Sequence, residues 1–132
     1  MGLNVFVASS AEDKLHLDAF VARGRLEKLP FQFVEMPTFE EAEERWRSNC
    51  RIQIRGSGGV LGLVSKHSEQ NPWQLWAIQC AVTENKPLLL MHTHQEGAEL
   101  PDSIAGKRVA TFSWTNARTW LESLWQEASR SR

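Results

Sequence analysis

At 132 residues, 42% hydrophobic and 23% charged, the chain has the size and composition of one globular domain that buries its core without metal or disulfide staples. A formal net charge of -1 is not the basic excess that a nucleic-acid or acidic-membrane surface needs. Apolar runs are all shorter than the roughly 18 residues that span a bilayer and no secretory signal opens the chain, so a single cytoplasmic domain over 1–132 is expected, with a small molecule or a protein as partner.

Asn4, Val5, Phe6, Val7 and Ala8 form an apolar run ending at Ser9 and Ser10, which predicts a strand. Leu15, Ala19, Ala22, Leu26 and Leu29 then alternate at four- and three-residue spacing and are expected to be the buried face of a helix. Ser10 with Asp13 supplies its N-cap and an acidic first turn. Residues 31–36 read as a second strand, stopped by Pro37. Thr38 and Glu41 make a capping box for a helix carrying Ala42, Trp46, Cys50 and Ile54 on one face. Gly56, Ser57, Gly58 and Gly59 end it, and residues 60–64 are a third strand, apolar throughout because both of its faces are covered. Asn71 and Pro72 cap a helix over 73–85. Pro87 opens a fourth strand over 88–91. A loop or one short helix fills 92–106, and 107–112 is a fifth strand. The last helix is striped by Ala117, Trp120, Leu121, Leu124, Trp125 and Ala128. Cys50 and Cys80 read as buried thiols of a reducing compartment.

Strict alternation of strand and helix predicts an α/β, three-layer flavodoxin-like fold: a five-stranded parallel sheet of order 2-1-3-4-5 with helices on both faces. In such sheets ligands sit beyond the carboxyl ends of the strands where the order reverses, here between the first and third. Ser9 and Ser10 leave the first strand; Ser65, Lys66, His67 and Ser68 leave the third. Hydroxyls, an ammonium and two helix starts suit a phosphate or ribose, although polar loops are also polar simply because water covers them. Trp46, Trp73 and Trp76 either pack in the core or offer faces to a base.

Other patterns fail on spacing. The Gly56 to Gly62 run precedes a strand, whereas the dinucleotide fingerprint follows one. His92-Thr93-His94 lacks further ligands in sequence, so no metal is expected. A receiver domain needs a phosphoryl-accepting Asp at the end of the third strand, where Ser65 stands.

Val60-Leu61-Gly62-Leu63-Val64-Ser65, then Trp76-Ala77-Ile78, Ala81 and Asn85-Lys86-Pro87, with the opening Val5-Phe6-Val7-Ala8-Ser9-Ser10 and Trp46, resemble bacterial Toll/interleukin-1-receptor-like (TIR-like) domains of antiviral defence, those of Thoeris systems among them. The resemblance implies an enzyme that takes NAD⁺ as substrate and cleaves nicotinamide from it. The ADP-ribose product is cyclised or conjugated into a messenger for a downstream effector. It also implies a flap over 37–40 and a possible homo-oligomer. Ser9, Ser10, Ser65, Lys66 and His67 would hold phosphate and ribose, and Trp46 or Trp73 would flank a base. The glutamate that such domains use to stabilise oxocarbenium-like charge falls at position 77, where this chain has Ala77. The chain as given is therefore expected to be inactive, an engineered substitution being favoured over a natural pseudoenzyme. The rivals are a TIR-like module that only binds proteins and a nucleoside deoxyribosyltransferase-like enzyme.

Overall fold

The computed structural model describes residues 3–10, 13–36, 43–65, 68, 71–92, 109–111 and 113–130. In chain order these form β1 (Leu3–Ser9), α1 (Lys14–Leu26), β2 (Phe31–Glu35), α2 (Glu43–Arg55), β3 (Gly59–Val64), α3 (Pro72–Thr83), β4 (Leu88–His92), β5 (Val109–Thr111) and α4 (Trp114–Arg130). All strand pairs are parallel and the order is β2-β1-β3-β4-β5, as the alternation predicts.

Both faces of the central strands are covered, and the two-residue period of a strand divides their side chains between two cores. Phe6, Ala8, Val60 and Val64 join Trp46, Cys50 and Ile54 of α2 and Ala77, Ile78 and Ala81 of α3. Val5, Val7, Leu61 and Leu63 join Leu17 and Phe20 of α1 and Ala117, Leu121 and Leu124 of α4. Gly62 lies on the first of these faces, where an added Cβ would stand 2.6 Å from Leu90 Cδ2. A glycine there lets β4 and α3 close on the sheet.

The predicted α2 face is the buried one at Trp46, Cys50 and Ile54; Ala42 lies outside the described residues. In α3 the cap is also as predicted, with Asn71 Oδ1 accepting from Gln74 N at 3.1 Å and Pro72 opening the helix. Asn85 follows the helix with φ 56°, a left-handed residue of the kind that ends helices.

α1 corrects the sequence reading. Leu17, Phe20 and Gly24 are its buried residues, while Leu15 is 81% and Leu26 79% exposed and Ala19 and Ala22 also face outward. Two stripes of helical period run along this helix, and period alone does not choose between them. Packing does: an added Cβ at Gly24 would meet the Phe33 ring at 3.1 Å, so the small residue is what seats α1 on β2, and Phe20 buries more apolar area than either alanine. Ser10 is not the helix cap either. Asp13 occupies that position without a capping hydrogen bond, and no acidic residue lies in the first turn.

Among the described residues no helix is long and apolar enough to cross a membrane.

Candidate functional site at the reversal of the sheet

Parallel pairing of Ser9 with Leu63 sets the carboxyl ends of β1 and β3 side by side, so Ser9, Ser10 and Ser65 come together as the sequence predicts. What they surround is Asp13. Its carboxylate, 1% exposed, accepts from Ser10 Oγ at 2.8 Å and from Ser65 Oγ at 2.5 Å. His16, one turn into α1 and half-buried, brings Nδ1 to 3.6 Å from the other carboxylate oxygen. Ser68 Oγ accepts from Ser65 N at 3.0 Å and so closes the turn after β3. A buried charge is tolerable when hydrogen bonds replace its water, and the two serine hydroxyls do this. Ser10 and Ser65 are themselves buried, so their protons serve Asp13 here. Lys66 and His67 lie outside the described residues, as does the 37–40 flap.

Gln74 completes the floor. Its side chain is fully buried, and Nε2 donates to the carbonyl of Leu63 at 2.6 Å and that of Ala8 at 3.1 Å, bridging β1 and β3 where the sheet order reverses. Two carbonyl partners fix which end of the amide is nitrogen. Its Oε1 has no hydrogen-bond partner among the described residues.

The remaining expected site residues lie in the α2–α3 layer. Trp46 is buried and meets Trp73 and Trp76 edge-to-face at centroid distances of 5.3 and 5.5 Å, so it packs as core and presents no open face to a base. Trp73 is half-buried against the same core. Arg47 and Arg51 each lie 5.6 Å from the Trp76 ring centroid, the geometry of cation–π contacts. Ala77 is 0% exposed and belongs to the core cluster of Phe6, Ala8, Trp46 and Cys50. Its methyl is enclosed.

Cys50 packs in the same core, and burial raises its thiol to about 12; Cys80 is also pushed up, again by burial. Both thiols are thus held neutral, the state least suited to nucleophilic chemistry. Among the described residues no group of three His, Cys, Asp or Glu side chains is placed to hold a metal ion. A cavity of about 200 Å³, lined by Leu3, Gly58, Pro87, Leu124, Glu127 and Ala128, lies at the amino ends of the strands, away from the reversal.

Asp13, His16 and Gln74 were not among the residues singled out for the site. Asp13 reads in the sequence as a charge complementing a helix dipole. A signal existed for two of the three: Asp13 follows a strand end by four residues, and Gln74 stands among apolar neighbours directly after a capped helix start.

No protein-family model and no curated protein sequence matches this chain. Solved structures do resemble it. The TIR domain of the Toll-related receptor TRR-2 from Hydra magnipapillata superposes with a TM-score of 0.62 at 12% identity, covering 96% of this chain and 95% of that one. A 2-deoxyribosyltransferase from Bacillus psychrosaccharolyticus gives 0.59 at 16%, covering 86% and 89%. A prokaryotic SEFIR domain gives 0.53 at 13%, covering 93% and 90%. At these identities the likeness is one of fold: the chain has the TIR-like form of the five-stranded flavodoxin-like architecture, which a nucleoside-processing enzyme shares.

Proposed function

We propose that this chain is a TIR-like interaction module, working through its protein surfaces and not through NAD⁺ cleavage. The observation that carries this reading is Ala77. A carboxylate at that position is what the resemblance requires to hold ribose hydroxyls as nicotinamide leaves, and the chain instead has a methyl packed against Phe6, Ala8, Trp46 and Cys50 with no exposed surface. On this reading Ala77 is a packing residue and not a substitution made to trap a substrate. Ser10, Ser65 and Trp46 fit the same account, since each is buried and engaged inside the protein.

A second reading keeps the chemistry: a TIR-type NAD⁺ nucleosidase or cyclase that makes an ADP-ribose-derived messenger for a downstream effector in antiviral defence. Asp13 favours it, being a buried carboxylate at the strand reversal, where α/β sheets bind ligands. A deoxyribosyltransferase-like enzyme rests on the shared fold alone.

The test is direct. The chain as it stands and its Ala77→Glu variant are incubated with NAD⁺, and separately with a deoxynucleoside and a free base, while NAD⁺ loss, released nicotinamide and base exchange are followed. The module reading expects no turnover from either protein. Nicotinamide release by either would sink it in favour of the nucleosidase, and base exchange in favour of the transferase.

A further inference from the structure

α2 and α3 pack side by side in a register that three contacts define. Trp46 meets Trp76 at a centroid distance of 5.5 Å, and Glu84 takes Arg55 at 2.9 Å and Arg51 at 4.0 Å. Trp46 and Trp76 each stand four residues, about one helical turn, before a cysteine, and Glu84 follows the second cysteine by the same interval. The rung between these contacts is Cys50 with Cys80, 0% and 7% exposed in the same core cluster. Burial is the main cause that pushes the Cys50 thiol up to about 12, and the nearby Cys80 adds to it. Both cysteines are free thiols.

A guanidinium stands beside this pair. Burial raises the Cys80 thiol, and Arg51 opposes that rise by its charge and by a hydrogen bond. Arg51 also lies 5.6 Å from the Trp76 ring centroid, a contact that holds it over the seam between the helices. Glu84, the neighbouring carboxylate, is taken up by Arg55 at 2.9 Å, closer than its 4.0 Å to Arg51. The rung thus has two sulfurs, apolar walls and a positive charge fixed at its edge. We propose that Cys50 and Cys80 form a two-coordinate site for a soft monovalent cation, copper(I) being the biological case, with Arg51 balancing the charge of the complex.

Binding displaces a proton from each thiol, and two thiolates around a monovalent ion leave one net negative charge. Such an anion in an apolar core needs a cation beside it, and Arg51 is that cation. Thiolate donors select copper(I). A structural zinc ion wants four ligands, and among the described residues no group of three His, Cys, Asp or Glu side chains is placed to hold one. A disulfide, the other way to join two thiols, is neutral and gains nothing from a guanidinium. It also needs one thiol to attack as a thiolate, which burial of both groups disfavours. The ion ties α2 to α3 inside the core, and the site stands apart from the interaction-module reading.

The test titrates the full chain anaerobically with copper(I) held by a chromogenic chelator, and in parallel with silver(I) in chloride-free buffer as a probe without redox chemistry. Bound metal, released protons and the thermal midpoint are measured. One ion of either metal per chain is expected, with two protons released and a raised midpoint, since the ion binds the folded state. Cys50→Ala and Cys80→Ser, each checked for folding by its melt without metal, bring uptake at one equivalent down to background; Cys80→Ser, at the less buried position, carries the test if Cys50→Ala does not fold. Arg51→Met keeps an apolar stem over Trp76 but removes the charge, and it weakens binding about tenfold, while Arg51→Lys restores most of the loss. A chain that takes up neither metal, or takes up as much without a cysteine, overturns the site. Two ions per chain, one on each thiol, overturn the bridge, and a lowered midpoint places the ion on the unfolded chain. Equal affinity in Arg51→Met overturns the role of the guanidinium.

Discussion

Asp13 and Ser65, 52 residues apart in the chain, are joined by a hydrogen bond from the serine hydroxyl to the carboxylate at 2.5 Å. The bond ties the start of α1 to the end of β3, and Ser10 supplies the second donor to the same oxygen at 2.8 Å. Asp13→Ala would leave two buried hydroxyls without their acceptor, and the expected loss in urea unfolding is about 2–4 kcal/mol. Ser65→Ala removes one of its donors and should cost about 1–2 kcal/mol. If Asp13→Ala cost less than Ser65→Ala, the carboxylate would not be the centre of the cluster.

Gln74 holds β1 and β3 together through the carbonyls of Ala8 and Leu63. Gln74→Leu conserves bulk but removes both bonds, for an expected loss of about 1–3 kcal/mol. Gln74→Glu should be worse, because an ionised carboxylate would confront two carbonyl oxygens in a buried place. The ranking of the two variants in denaturant midpoint is the measurement, and an equal or reversed ranking contradicts the bridging role.

Enclosure of Ala77 has a stability counterpart to the turnover assay. Ala77→Gly should cost about 1 kcal/mol from helix propensity alone. Ala77→Glu should cost more than about 3 kcal/mol, since an unpaired carboxylate would enter a core of Phe6, Trp46 and Cys50. A near-neutral glutamate would mean that the side chain reaches water.

Acid and alkali should loosen the α2–α3 layer through different groups. The hydrogen bond from Arg55, 2.9 Å away, holds the Glu84 carboxyl below its ordinary 4.5. A carboxylate lowered in the folded state stabilises it above the unfolded value, and this contribution fades as pH falls from about 4.5 through the lowered value. Burial raises Cys50 to about 12 from 9.0, so its contribution is complete below about 9 and fades as pH climbs toward 12. Glu84→Gln should flatten the acid limb of the stability profile and leave the alkaline one unchanged. Iodoacetamide at pH 8 should leave Cys50 unlabelled in the native chain and label it in urea.

Gly62 in β3 and Gly58 just before it are close-approach residues. An added methyl at Gly62 would come within 2.6 Å of Leu90, and one at Gly58 within 2.6 Å of Leu3. Gly62→Ala, between central strands with little room to yield, should cost about 1–3 kcal/mol by overpacking; a gain in thermal midpoint would contradict that packing.

Strand order, the α2 face and the α3 cap were legible because each rests on a local rule: alternation of elements, a four-residue stripe ending at Ile54, an Asn-Pro helix start. α1 was misread because Leu15 and Leu17 begin two stripes of equal period, and only the fit of Gly24 against Phe33 decides which faces the sheet. The site was legible in place but not in role. Ser9, Ser10 and Ser65 do gather at the reversal, yet their tie to Asp13 is a tertiary contact that no spacing in the sequence encodes.

β1 precedes the other strands in the chain but sits inside the sheet, with Val5 paired to Phe33 on one side and to Gly59 on the other. During synthesis β2 can cover one edge after some thirty residues, while the other waits for a segment nearly twice as far along. Until β3 leaves the ribosome, a strand with the apolar run Val5, Phe6, Val7 and Ala8 has an open row of backbone donors and acceptors, the template on which chains join one another in error. Yield on expression should therefore depend on how quickly translation passes residue 64, and slow codons between β2 and β3 should send more of the product into aggregates.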